Sequence, residues 1–162
     1  MSIFFNTNPR YPNINYIKPV EMINITKNAE NDCVFTLQEN STLFNEQAII
    51  PYYLFAFTSQ QSNNTVYFVA DDISTCTTSY NEFIITETGS TYTNLTGGTI
   101  NLAPLNFYDY VVYEQTTRDN LNPANSVGVV EKGIVFVSDI QEQIYTSFSP
   151  TGTTNDYIIY RP

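Results

Sequence analysis

Short runs of alternating apolar and polar residues dominate the chain, and each run predicts a β-strand. Cys33-Val34-Phe35-Thr36-Leu37-Gln38 alternates cleanly and should turn Cys33, Phe35 and Leu37 inward. Residues 20–26 form an earlier strand with Glu21, Ile23 and Ile25 on one face, and a turn cluster over 28–32 separates the two. The most apolar stretch is 49–57, whose aromatic content suits a central strand with Pro51 at its start. A polar loop at 60–64 and an apolar run at 65–70 complete a hairpin with it. Residues 80–86 turn Phe83 and Ile85 to one side and Ile84 to the other. Strands follow at 99–102, 107–114 and 127–137, the last interrupted by a bulge or local turn at Glu131-Lys132-Gly133. Seven or so short strands with regular turn signals predict an all-β sandwich over residues 20–140.

The two ends of the chain lack this pattern. In residues 1–19 Asn, Pro and Tyr recur without period, and Pro9, Pro12 and Pro19 exclude a helix. This reads as an extended N-terminal arm, and 141–162 as a C-terminal tail with a strand-like end at Tyr157-Ile158-Ile159-Tyr160. An extended arm has no core of its own. Ile3, Phe4, Phe5, Tyr11 and Tyr16 are therefore expected to bury themselves on a partner surface.

Charge narrows the possible partners. Six basic residues stand against sixteen acidic ones, a net −10. Phosphate neutralisation needs clustered Lys and Arg, so no nucleic-acid partner is expected, and an anionic membrane surface is disfavoured for the same reason. Charged residues make up only 14% of the chain, so solubility rests on 19 Asn and 21 Thr. Met1-Ser2-Ile3-Phe4-Phe5-Asn6 has no basic leader, and no run approaches a membrane span. The sequons at Asn24, Asn40, Asn63 and Asn94 then read as products of that composition.

Histidine is absent, which removes Ser-His-Asp and Cys-His catalysis and every His-containing metal site. Cys33 and Cys76 are too far apart for a CxxC motif and are expected to be reduced and unpaired. Glu82 and Glu114 are the best candidates for a glycosidase pair, but the pattern favours solvated carboxylates. Asp71, Asp72 and Asp109 are of the type that binds calcium, but they lack a binding-loop spacing and read as turn residues. Thr96-Gly97-Gly98-Thr99 has no following Lys and is not a phosphate loop. No cofactor, no metal and no enzymatic activity are expected.

Two resemblances extend this reading. Leu102-Ala103-Pro104-Leu105-Asn106-Phe107-Tyr108-Asp109-Tyr110-Val111-Val112 resembles the corner before strand F of immunoglobulin and fibronectin-III domains. There a tyrosine hydroxyl bonds back to the corner's backbone, the role the resemblance gives to Tyr108. It implies an immunoglobulin/fibronectin-III-like β-sandwich, here with extended N- and C-terminal arms. More widely, Tyr52-Tyr53-Leu54-Phe55, Tyr67-Phe68-Val69-Ala70-Asp71, Tyr80-Asn81-Glu82-Phe83 and Leu121-Asn122-Pro123-Ala124 resemble small virion proteins of tailed bacteriophages, those of crAss-like phages most. That resemblance implies a structural component of the virion, assembled in many copies in the bacterial cytoplasm. An auxiliary or decoration protein on the major capsid protein is the leading expectation. A tail or connector component, or a host-facing carbohydrate- or receptor-binding module, is the alternative.

Overall fold

A computed structural model describes residues 22–75 and 80–139. Eight strands make up about half of these residues: β1 (Met22–Thr26), β2 (Ala29–Phe35), β3 (Tyr52–Ser59), β4 (Thr65–Val69), β5 (Asn81–Glu87), β6 (Thr99–Ile100), β7 (Phe107–Gln115) and β8 (Gly128–Ser138). A five-stranded sheet in the order β1-β8-β7-β3-β4 packs on a three-stranded sheet in the order β2-β5-β6. The expected all-β sandwich is thus present, its strands pairing antiparallel except for β1 on β8 and β6 on β5. The arm at 1–19 and the tail at 141–162 lie outside the described residues, as does Cys76.

Alternation sorts the core. Cys33, Phe35, Phe83 and Ile85 from one sheet meet Tyr53, Phe55, Phe57, Phe68, Tyr110 and Val112 from the other, all at most 3% exposed. Their rings interlock, with Phe35 at 5.3 Å from Phe55 and edge-on to Phe83 and Tyr110 at 5.7 Å each. Edge-to-face geometry adds to the area each ring removes from water, and eight of the sixteen Phe and Tyr among the described residues build this core.

Several boundaries differ from the sequence expectation. The turn cluster at 28–32 shrinks to Lys27 and Asn28, Asn28 having φ 57°, and Ala29 already belongs to β2. Asn31 fits an inward position because its side chain accepts from the Thr26 N–H and donates to the Thr26 and Ala29 carbonyls. Leu37 is buried as expected but sits in a 3₁₀ turn after β2. The helix α1 (Thr42–Gln47) has no counterpart in the expected elements. The bulge falls at Val130, one residue before the expected stretch, where the β7–β8 register shifts between Val112 and Tyr113. There Val130 and Glu131 both turn inward, at 4% and 8% exposure.

Candidate functional site: the outward face of the five-stranded sheet

Strands that alternate strictly have one greasy face, but β7 and β8 are apolar on both. In β7 Tyr108, Tyr110 and Val112 point to the core, and Phe107, Val111 and Tyr113 point the other way. Strand β8 adds Val129, Ile134 and Phe136 to this outward face, and β1 adds Met22 beside Ile134. Phe107 and Phe136 are cross-strand partners with ring centroids 4.9 Å apart. Tyr113 faces Val129 on one side and Leu54 on the other. Exposure is high for Met22 (59%), Val129 (45%), Tyr52 (44%) and Phe107 (41%). Asp109 and Lys132 are the charges on β7 and β8 that share this face, and Asp109 accepts from the Gln60 amide at 2.7 Å.

Leu54 and Val69, on the same face at β3 and β4, are 0% and 1% exposed, so the open part of the face runs along β1, β7 and β8. An apolar sheet face left in water is a recognised signature of an interaction surface. Tyr52 lies outward and Tyr53 inward, whereas Tyr110 is inward and Val111 outward. Phe107, Phe136, Val129 and Met22 were not among the candidate residues read from sequence. The signal that locates them is apolar character at both parities of neighbouring strands, which marks a strand covered on two sides.

The carboxylates singled out in the sequence do not assemble into a site. Glu114 is not on a solvated face: it is 1% exposed and turned inward from β7. Glu82 sits on the opposite sheet and points outward from β5, so the two acids share no cleft. Glu114 instead accepts from the Ser41 hydroxyl at 2.7 Å and from the Thr42 and Leu43 N–H groups at 3.1 and 3.2 Å. Glu87 accepts from the Asn28 and Leu102 N–H groups at 2.9 and 3.0 Å, with Lys27 at 3.6 Å. Glu131 accepts from the Thr36 N–H at 3.0 Å and the Tyr110 hydroxyl at 2.6 Å. Each buried glutamate thus ties a turn or loop to the sandwich, and its lone pairs are committed to that role.

Asp71, Asp72 and Asp109 also separate. Asp71 takes a two-pronged grip from Arg118, whose Nε donates to Oδ1 at 2.9 Å and Nη2 to Oδ2 at 2.7 Å, which joins the β7–β8 connection to the end of β4. Asp72 accepts from the Ser74 N–H and hydroxyl and from the Asn81 amide, as a turn-forming Asp does. Asp109 lies beside Thr58, at the other end of β3. Among the described residues no three His, Cys, Asp or Glu side chains are grouped to hold a metal ion.

Tyr108 lies near the start of β7. It is 2% exposed, and its hydroxyl donates to the Pro104 carbonyl at 2.7 Å. Burial pushes its pKa upward, with the Ser59 hydroxyl opposing the shift. Cys33 is a free, buried thiol. Ile3, Phe4, Phe5, Tyr11 and Tyr16 lie outside the described residues. Comparison of the chain with protein-family models, curated proteins and solved structures gives no match.

Proposed function

We propose that the chain is a non-enzymatic structural protein of a bacteriophage virion, an auxiliary or decoration protein that docks on the coat lattice. The observation that carries this reading is the outward apolar face of the five-stranded sheet, with Met22, Phe107 and Val129 standing in solvent. Burying such a side chain fully contributes about 1.5–3 kcal/mol, so a few of them suffice to anchor a partner. The saturated bonding of Glu87, Glu114 and Glu131 favours a structural role for the acids over acid–base work. An immunoglobulin-like class for the sandwich belongs to the same proposal. Three features support it: the β1-β8-β7-β3-β4 order, the parallel β1–β8 pair, and the Tyr108 corner. A strongly acidic surface suits a protein that stays soluble before docking and avoids the packaged genome.

The test is incorporation into particles formed with the coat protein, followed by co-sedimentation. Phe107→Ser combined with Val129→Lys is expected to leave circular dichroism and Tm close to the parent's while incorporation is lost. Deletion of residues 2–17 is expected to leave a folded sandwich that incorporates weakly or not at all. Unchanged incorporation of both variants overturns the proposal.

A further inference from the structure

We propose that the outward face of the three-stranded sheet, together with the edge of β2 beside it, receives the N-terminal segment of a second copy of this chain. The proposal rests on the reading of the chain as an assembling structural protein. Among the described residues β2 has one strand neighbour, β5, so its other side presents backbone N–H and C=O groups without a sheet partner. Sheet edges are usually blunted by charged side chains, Pro or a bulge. Ala29–Phe35 has no Pro and no bulge, and its only charges are the acids Glu30 and Asp32, which leave the edge open to a cationic strand.

The side chains flanking this edge have a definite character. Glu30, Asp32 and Val34 point outward from β2, in register with Thr86, Ile84 and Glu82 of β5. Val34 is 55% exposed and Ile84 39%. Two aliphatic groups therefore sit among three carboxylates, and neither strand carries a base. Such a face repels a second copy of itself and favours a segment that alternates apolar groups with cations.

The chain holds one segment of that kind. Residues 1–21 carry Arg10 and Lys18 against Glu21 alone, whereas residues 22–139 carry three bases against thirteen acids. Arg10 adjoins Tyr11, and Lys18 adjoins Ile17, so each cation comes with an apolar neighbour. Reach favours a second copy over the same one. The twelve residue steps from Arg10 to Met22 can span up to about 40 Å when extended, and Pro12 and Pro19 favour an extended chain. A domain of this size is roughly 35 Å across, so that length suffices to reach a neighbouring copy. A segment-to-face contact joins unlike surfaces and propagates from copy to copy.

Sedimentation of the purified full-length chain over a range of concentrations tests this. The parent is expected to self-associate, and more weakly at high ionic strength, where charge attraction is screened. Arg10→Glu with Lys18→Glu is expected to abolish association, as is Glu30→Lys with Asp32→Lys. An equimolar mixture of these two variants is expected to associate again, because each supplies the surface the other lacks. The rescue separates lost contact from misfolding. A parent that stays monomeric throughout, variants that associate like the parent, or a mixture that stays monomeric would each overturn the inference. A chain that enters particles without self-associating fails only this inference. One that self-associates yet never enters particles fails only the proposed function.

Discussion

At the scale of single residues, polar groups inside the sandwich are fixed by bonds to backbone that no strand satisfies. Tyr108 is the simplest case, its hydroxyl closing on the Pro104 carbonyl four residues upstream. The hydroxyl can be removed without changing the ring's volume, which isolates the bond from the packing. Tyr108→Phe is expected to cost about 1–2 kcal/mol in urea denaturation, since the part-buried carbonyl loses its donor. A stability equal to the parent's would show that the corner is held by packing alone. Glu131 shows the same logic between elements. Its carboxylate bridges the Tyr110 hydroxyl on β7 and the Thr36 N–H at the end of β2, and so spans both sheets.

At the scale of elements, α1 shows how a six-residue helix that propensity alone cannot support is held in place. The Ser41 hydroxyl accepts from the Phe44 N–H at 3.1 Å, and Glu114 behind it takes the Thr42 and Leu43 N–H groups. A buried anion at the first turn meets both the free donors and the positive end of the helix. Glu114→Gln is expected to destabilise this segment by about 1.5–3 kcal/mol, because an amide cannot replace an acceptor that serves three donors. Hydrogen exchange is the readout: the Asn45 and Ile49 amides, bonded to the Ser41 and Leu43 carbonyls, should open faster. Core amides of β3 should change far less, and uniform acceleration would refute a local role. The strands were legible because alternation survives in Cys33, Phe35, Phe83 and Ile85, whose neighbours point to water. The helix was not, because its stabilising charge lies seventy-odd residues away on β7. Tyr108 was legible through a local corner pattern. The outward sheet face was not, since it joins residues of β1, β7 and β8 that only pairing brings together.

At the scale of the whole molecule, a net charge of −10 makes alkaline conditions the telling direction, and the buried acids of that range report on global unfolding. Burial pushes the Cys33 thiol from its ordinary 9.0 up to about 12, with Asp32 adding to the shift. Burial likewise raises Tyr53, helped by Asp72 and Glu114, and raises Tyr108. A group whose pKa is raised on folding holds its proton more tightly in the native state. Its contribution is complete below the unfolded pKa and is lost as pH climbs from there towards the folded value. For Cys33 the loss begins near pH 9.0 and runs to about 12, at a slope approaching 1.4 kcal/mol per pH unit. The tyrosines join above their ordinary 10.0. Rising self-repulsion acts in the same sense, so the informative quantity is a difference between two proteins. Cys33→Val keeps an apolar group of similar size in the core and removes the thiol's titration. The gap in unfolding free energy between parent and variant should be constant below pH 9 and then shift steadily in the variant's favour. Urea denaturation at closely spaced pH values measures it. A gap that stays flat between pH 9 and 11 would mean the thiol ionises as easily in the native protein as in the unfolded chain, in conflict with its burial between the sheets.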